Sequence, residues 1–519
     1  MSSTFFGLEI ARRALQAQQT ALDITGHNIS NASTPGYSRQ IAKLEATTPW
    51  SGHNVSLGTG VTLGYITRAR DAFVDRQYRW ETSKQQYWAG QQDAMQKVEG
   101  IVNEPSDNSL SNDMNKFWIA WSDLSKNPEN MGARAVVRER AVTLTDSFHY
   151  LAQQITDLQQ DQDTSVRVKI SQINVYSQQI KDLNIQIKNS EVNNATPNDL
   201  RDKRDSLVDE LSKIVSVRVI ETKDPTFTDR QVNLYKVVIG NDSETTPQVL
   251  VDDSKVNLLE EPDPPGADGK PFATVKWAAD ADSTQAGNDL DLGERTGSLQ
   301  ANLEIRDTYL TAFAGQFDAL AQGIARAVNV LHQTGQGLSA EDPSMDFFTL
   351  PDGSSPTTEV PVTAATITLN SIIGGDLGKI ATGARIDAEG NPLVGIGDGS
   401  IALAISSLSG GWSALKTQIQ EGLFGESNTN PVTASSFGDY YGANIAQMGV
   451  DVQQADRMTA GQDVLVTQLY NQRESFTGVS LDEEMTNLVK FQKSYAAAAR
   501  IVTMMDDMLS TLMNMGVTR

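Results

Sequence analysis

Apolar positions spaced by seven mark both ends of the chain. Near the start, Leu8, Leu15, Leu22 and Ile29 recur every seven residues with Ala11 and Ala14 between them, which predicts a helix with one narrow apolar seam. It is expected to stop before Thr34-Pro35-Gly36, because proline disfavours helix in the residue before it and Pro-Gly fits the centre of a type II turn. At the far end two series interleave: Leu488, Tyr495, Val502 and Leu509, and, offset by three, Phe491, Ala498, Met505 and Leu512. Both core positions of a heptad are thereby filled. Ser480 and Glu483 have capping-box spacing, Asp482 to Glu484 complement the helix dipole, and Gly516 suits the stop. A helix from Leu481 to Met515 would be about 52 Å long. Either seam alone also reads as an ordinary amphipathic helix on a globular core. Together they predict terminal helices that pair with each other and with neighbouring copies, since such helices gain little by folding separately.

Between the ends, Phe73, Trp80, Tyr87, Ala94 and Ile101 form another series, followed by the aromatic cluster Phe117, Trp118 and Trp121, most of which are expected in a core. From Ala133 to Thr196 there is neither Gly nor Pro, and Val166, Ile173, Ile180 and Ile187 keep the heptad spacing, predicting a long rod-like helix or a close helical pair. The period changes after Leu211. Runs such as Val215 to Ile220, Val232 to Ile239, Val249 to Val251 and Ala273 to Trp277 are β-rich and separated by Asp, Pro and Gly turns. Helix resumes from Leu299 to His332, residues 336–435 are rich in Gly, Ser and Thr, and a last helix is expected from Asp439 to Phe476. The pattern predicts a mainly α chain with inserted β domains: a terminal α-helical coiled coil, a long-helix bundle domain and one or two small β-containing outer domains. In residue terms the expectation is nested. Residues 1–45 with 480–519 form the coiled coil, and 46–213 with 297–335 and 436–479 form the bundle. Residues 214–296 form a β-rich insert and 336–435 a variable mixed one.

Composition sharpens this picture. At 519 residues the chain is too long for a single core. It carries 65 acidic against 42 basic residues, a net charge of -23, which argues against a nucleic-acid partner. Residues 1–45 hold four cations against three acids and residues 480–519 four against five, so the ends cancel and the middle carries the excess. Near-neutral ends pack readily against copies of themselves, while an acidic middle stays solvated. There is no cysteine, which excludes disulfides and thiolate chemistry. No run of 18 apolar residues and no signal-peptide pattern is seen, so neither membrane insertion nor cleaved-signal secretion is expected.

Candidate chemistry is sparse. His27, His53, His149 and His332 are scattered and fall in no metal-ligand spacing. Gly395, Gly397 and Gly399 read as a loop in place of a phosphate cradle, and the carboxylates from Asp280 to Glu294 lack the order of an EF-hand. No catalytic, cofactor-binding or metal-ligating residue is named, and no cofactor is expected.

The stretch Ala21-Leu22-Asp23-Ile24-Thr25-Gly26-His27-Asn28-Ile29-Ser30-Asn31-Ala32-Ser33-Thr34-Pro35-Gly36-Tyr37-Ser38-Arg39 closely resembles the N-terminal signature of the flagellar rod, hook and hook-associated axial proteins. Asn28, Asn31, Thr34, Pro35, Gly36 and Tyr37 carry it. Arg204-Asp205, Glu210-Leu211-Ser212, Gly297-Ser298-Leu299, Arg306 to Leu310 and Asn329 to His332 resemble a hook-associated subunit in its helical domain, as do Gly478 to Met485 and Phe491 to Tyr495 at the end. The resemblance fades across 214–296 and 336–435. It implies a structural, non-enzymatic subunit needed for filament assembly, an adaptor between hook and filament, with another axial or hook-associated subunit and an axial protein bearing an enzymatic insert as alternatives. It further implies secretion through the flagellar type III export apparatus with a cytoplasmic chaperone, and residence in the extracellular flagellum at the hook-filament junction. The implied partners are copies of itself in a ring, the hook protein and a second junction protein, hook-associated protein 3.

Overall fold

The computed structural model describes residues 5–52, 55–228, 230, 232–240, 247–260, 272, 274–279, 281, 285–293, 295–339, 344–357, 359–384, 397–411 and 436–517. Helices dominate, and none of the described ones contains proline. Two compact units divide the chain. Met1–Tyr87, Arg167–Gln300 and Ala460–Arg519 form the first, Trp88–Val166 and Ala301–Thr459 the second.

The first unit holds both chain ends. Its elements begin with α1 (Phe6–Ser30) and an antiparallel hairpin of β1 (Gln40–Ala46) and β4 (Val61–Arg68), extended at its tip by β2 (Trp50–Gly52) and β3 (Val55–Leu57). Helix α2 (Ala72–Val102) starts here, and the following α3 (Leu110–Lys126) belongs to the second unit. The expected rod is one helix, α4 (Met131–Val192), 62 residues and about 93 Å long. Val166, Ile173, Ile180 and Ile187 are buried along it. It ends at Asn194, which takes a positive φ of 60°. Next, α5 (Asn198–Ile214) leads into a four-stranded antiparallel sheet of β5 (Val217–Lys223), β6 (Asn233–Ile239), β7 (Gln248–Asp252) and β8 (Lys255–Val256), in sequence order. The β-rich reading of this stretch holds for its described residues.

The core of this unit is partly ionic. Asp205 on α5 accepts from Arg68 at 2.7 Å and Arg70 at 2.8 Å, while Arg79 on α2 reaches Asp209 at 2.6 Å. Arg473 bridges Asp75 at 2.8 Å and Asp209 at 2.7 Å. The Arg204 guanidinium lies 3.4 Å from the centre of the buried Tyr235 ring, so the sheet docks on the same cluster. Burial pushes the Asp205 carboxyl up, but Arg70, Arg68, Arg79 and Arg204 outweigh it and hold the group well below the usual carboxylate range. Hairpin, α2, α5, sheet and the Arg473 helix are thereby fixed to one point.

The second unit is built around aromatic rings. Helix α6 (Ser298–Glu304) continues through a π-helical turn at Ile305–Tyr309 into α7 (Leu310–Thr334). The sequence pattern predicted helix here but not the π turn. At that turn the Arg306 carbonyl accepts from Gln159 at 3.1 Å, and the Arg306 guanidinium is buried against Asp163 at 2.6 Å. Phe117 on α3 packs edge-on to Trp118 and Trp121 and meets Phe347 and Phe348, with ring centres 4.9–6.3 Å away. The short strands β9 (Gly335–Gln336), β10 (Phe348–Thr349), β11 (Thr368–Leu369) and β12 (Gly383–Ala384) and the helices α8 (Ser371–Gly375) and α9 (Ser400–Ser407) surround this cluster. Asn329 on α7 accepts from the Phe347 and Phe348 N–H groups at 2.9 and 2.8 Å and donates to the Phe348 carbonyl at 2.7 Å. Arg134, fully buried, donates to the Ile380 carbonyl at 2.6 Å and to the Thr382 hydroxyl at 3.1 Å. The described part of 336–411 therefore shares its core with α3, α4 and α7. Helix α10 (Phe437–Thr477) stacks Phe437 on Trp118, and α11 (Leu481–Val517) closes the chain. In the α2 series Tyr87 and Ala94 are buried, but Phe73 is exposed and Val74 takes the inward place.

Candidate functional site

The two ends of the chain meet in the first unit. Helices α1 and α11 lie side by side and antiparallel: Asn28 near the end of α1 touches Glu484 at the start of α11, and Gly7 near the start of α1 lies under the Met505 side chain. The same number of residues separates the two contacts on each helix, so the pair stays in register throughout. A Cβ at position 7 would overlap the Met505 methyl, the far end of a flexible side chain that can turn aside.

On α11, Ala498 is buried and Leu488, Phe491, Val502, Met505 and Leu509 are half-buried. Tyr495 is exposed, and the Leu512 side chain falls outside the described residues. On α1, Leu8, Leu15, Leu22 and Ile29 are half-buried, while Ala11, Ala17, Ala21, Ile24, Thr25 and Asn28 are buried. Small residues face inward on α1, which lets the two backbones approach closely.

The signature residues form a latch at the base of this pair. Asn28 accepts from the Gln40 N–H at 2.9 Å and from the Tyr37 hydroxyl at 2.7 Å, and its amide donates to the Gln40 carbonyl at 2.9 Å and to Glu484 at 3.1 Å. All of its polar capacity is used, which its burial requires. Thr34-Pro35-Gly36-Tyr37 makes the expected type II turn: Gly36 has φ of 76° and the Tyr37 N–H donates to the Thr34 carbonyl at 3.2 Å. Asn31 bonds the His27 carbonyl through its side chain at 3.0 Å and ends α1. Burial, with Asp199, Asp202 and Glu484 nearby, pushes the Tyr37 hydroxyl up, so it stays a donor.

Sequence reasoning missed the receiving half of this latch. Arg39 donates to the buried Glu484 at 2.7 Å, pairs with Glu483 at 2.9 Å, and its N–H donates to the Thr477 carbonyl at 2.9 Å. The sequence marks Glu484 as a dipole partner and as part of the Gly478 to Met485 resemblance, without pointing to Arg39. Glu483 keeps half of the capping box, its N–H lying 3.4 Å from the Ser480 hydroxyl, while its carboxylate goes to Arg39. The available signal was an unusually acidic helix start opposite a basic residue that closes the signature.

Beside the latch opens a cleft of about 660 Å³, walled by Pro35 and Tyr37, by Asp182 and Leu183 on α4, and by Asp199 and Leu207 on α5. Among the described residues no three His, Asp or Glu side chains gather as metal ligands, and no helix is long and apolar enough to cross a membrane. His149 contacts the Ile367 carbonyl at 2.8 Å and His332 is buried in the second unit. His53, Gly395 and part of the Asp280 to Glu294 stretch lie outside the described residues.

The family model for the flagellar hook-associated protein FlgK helical domain matches residues 95–348. Models for the flagella basal body rod protein and for the C-terminal region of the flagellar basal body rod FlgEFG proteins match 8–37 and 472–515, the two arms of the latch. Flagellar hook-associated protein 1 of Bacillus subtilis is 30% identical over 100% of this chain and 99% of its own length. The chain belongs to the flagellar hook-associated protein 1 family. The Escherichia coli member is 26% identical over 97% of this chain and 98% of its own. The structure of the flagellar hook junction protein FlgK from Burkholderia pseudomallei aligns with a TM-score of 0.60 at 15% identity, covering 77% of this chain and all of that one, which shows a shared fold. Members of this family are structural proteins of the flagellum. The mainly α architecture with small β parts is theirs.

Proposed function

We propose that the chain is a non-enzymatic adaptor at the hook-filament junction, assembled as a ring of identical copies through the α1–α11 pair. The observation that carries this is the outer face of α11. Leu481, Met485, Val489, Ile501, Met504 and Met508 recur at spacings of three, four and multiples of four, and each is 45–56% exposed. A helix that packs one apolar seam on α1 and still leaves six large apolar side chains in solvent is built for another partner. The near-neutral ends and the acidic middle support the same arrangement, with the ends inside an assembly and the middle outside. By this reading its neighbours are the hook protein on one side and hook-associated protein 3 on the other, and it reaches the extracellular flagellum by the type III route, escorted by a chaperone. Cells lacking the chain are expected to build hooks and shed unpolymerised filament protein into the medium. Filaments that stay attached in those cells would overturn the proposal.

Within that ring the seam is separable from the fold. Changing Leu488 and Leu509 to Asp together removes two half-buried apolar groups and is expected to abolish filament attachment, while the unfolding midpoint of the second unit stays within a degree or two. The amount of the variant in the medium is measured alongside, so that loss of export is distinguished from loss of attachment.

A further inference from the structure

The latch accounts for Asn28, Asn31, Tyr37 and Arg39, but not for the exposed side of the signature turn. Thr34, Pro35 and Gly36 are exposed and border the 660 Å³ cleft. Its floor is apolar, from Leu183 and Leu207, and its rim is mixed: Asp182 and Asp199, with side chains 62% and 58% exposed, stand with Lys203, Asp182 lying 3.4 Å from Lys181 and Asp199 3.6 Å from His27. A cleft of this size holds a drug-sized group. Its chemistry suits an aromatic or aliphatic side chain carried next to a cation.

The same chain presents that combination on its hairpin. Lys43 and Tyr65 stand directly opposite each other on β1 and β4, so their side chains share one face, and both are exposed, Tyr65 to 53%. The sheet has two strands, and α1 packs against both of them, while Lys43 and Tyr65 stay exposed. Its tip adds the opposed, exposed pair Trp50 and Leu57. The hairpin is pinned at its root, by Asn28 to Gln40 and by Arg68 to Asp202 at 2.8 Å and Asp205 at 2.7 Å. So rooted, it turns Lys43 and Tyr65 to solvent and leaves the cleft beside the root for another molecule.

We infer that the cleft beside the signature turn of one copy receives the Lys43–Tyr65 face of the hairpin from a neighbouring copy. The inference rests on the ring proposed above and names a second contact within it, independent of the helical stripe. The contact is heterologous, cleft to arm, and repeats around a closed ring without demanding a two-fold axis. The cation meets Asp182 and Asp199 and the ring of Tyr65 covers Leu183 and Leu207.

Two tests read this contact. The chain has no cysteine, so Thr62→Cys on the hairpin face and Gln186→Cys in the exposed cleft wall supply the only thiols. Treating sheared, purified flagella with a short bis-maleimide is expected to give a ladder of linked copies with the double variant and none with either single one. In cells, Lys43→Glu and Asp182→Lys are each expected to lower the amount of the chain in sheared flagella about tenfold, and the two together to restore it, as reversal of a complementary charge pair requires. Normal incorporation of Lys43→Glu with no ladder from the cysteine pair would overturn the inference. If the deletion strain sheds filament protein while those two results are negative, the junction reading stands and the cleft contact alone falls. Filaments that remain attached in the deletion strain remove the reading itself.

Discussion

The cores of the two units differ in kind. In the second, apart from the buried Arg306–Asp163 pair, Phe117, Trp121, Phe347 and Phe348 gather by dispersion and apolar burial, forces that accept many geometries of similar energy. In the first, Asp205, Asp209 and Asp75 are surrounded by Arg68, Arg70, Arg79 and Arg473 at fixed distances and angles. A buried ion network adds little net stability over an apolar core, because desolvation offsets the Coulomb attraction, but it tolerates no displacement of its members. The difference follows what the first unit must do. It gathers segments from residue 68 to residue 473 so that α1 and α11, separated by most of the chain, start in register.

The largest effect that tests this contrast is expected at Asp205. Asp205→Ala removes the acceptor shared by the buried Arg68 and Arg70, leaving Arg68 with Asp202 and Arg70 with Asp75, and is expected to destabilise the first unit by about 3 kcal/mol, the lower end for a broken buried pair. Hydrogen exchange resolved by peptide is the suitable measurement, since it reports each unit separately. Faster exchange in 198–239 with little change in 110–126 is the expected pattern. A loss below about 0.5 kcal/mol, ordinary for a surface site, would show that the network is incidental.

Acid sharpens the comparison. His332 is buried in the second unit, with Met345 and Ala381 on its two nitrogens: the Ala381 N–H donates to Nε2 at 2.9 Å, so Nδ1 carries the proton and donates to the Met345 carbonyl at 2.8 Å. Burial is the main reason its pKa falls from 6.5 to about 4, with Arg134 adding to the effect and the Met345 bond and Asp346 opposing it. The unfolded chain takes up this proton as pH falls below 6.5 and the folded one does not until about 4. Stability is therefore full above pH 6.5 and declines between 6.5 and 4, by on the order of 3 kcal/mol at the lower limit. Asp205 behaves otherwise. Its carboxyl is depressed, so its contribution persists through this window and is lost only below the ordinary carboxylate range. Urea midpoints measured from pH 7 to pH 4 are expected to fall in the wild type and to be flatter in His332→Gln. Equal slopes in the two proteins would exclude His332 as the cause.

The long elements were legible in the sequence because heptad spacing is a local signal. It pointed to a rod or a close helical pair where α4 is a single helix, placed α11 within two residues at its C-terminal end, and marked the turn at Pro35 and Gly36. The rotation of a seam was less legible. Phe73 carried the period of α2, yet Val74 is the buried neighbour, because which side faces inward depends on what lies across from it. The same applies to α1, where Ala11, Ala17 and Ala21 are buried and the leucines stay half-buried. The ionic cluster was invisible. Arg204-Asp205 was noticed as a resemblance, but nothing along the chain pairs Asp205 with Arg68, Arg70 and Arg79, which lie over a hundred residues earlier. Likewise Phe347 and Phe348 sit in a segment rich in Gly, Ser and Thr, and their shared core with Trp121 is a three-dimensional fact.

A smaller effect is expected in the aromatic core. Phe347→Leu keeps an apolar group in a fully buried place and is expected to cost on the order of 1.5 kcal/mol, because neighbouring rings can shift to fill part of the space. Thermal unfolding of the second unit checks it. A cost as large as that of Asp205→Ala would mean that the aromatic cluster is as geometrically exacting as the ionic one, and the contrast between the two cores would fail.

The smallest effect is expected at the latch, and it is the most local. Tyr37→Phe deletes the hydroxyl that donates to Asn28 at 2.7 Å and contacts His27 at 3.0 Å. The Asn28 oxygen keeps the Gln40 N–H and is not orphaned, so the cost is that of one neutral hydrogen bond, about 1 kcal/mol. Because Asn28 also holds Glu484, the loosening should be felt where α1 meets α11 and not in either core. Limited proteolysis of the purified monomer is expected to cut within 5–30 several times faster than in the wild type, with the urea midpoint of the second unit unchanged. Asn28→Ala, which removes the bonds to Gln40, Tyr37 and Glu484 together, sets the upper bound for the same measurement. If Tyr37→Phe and wild type are cut equally fast while Asn28→Ala is cut faster, the hold on the chain ends lies in the Asn28–Glu484–Arg39 connection, and the Tyr37 hydroxyl only completes its hydrogen bonding. If all three are cut alike, the ends are held by the helix pair itself, and the signature residues shape the turn and the cleft instead.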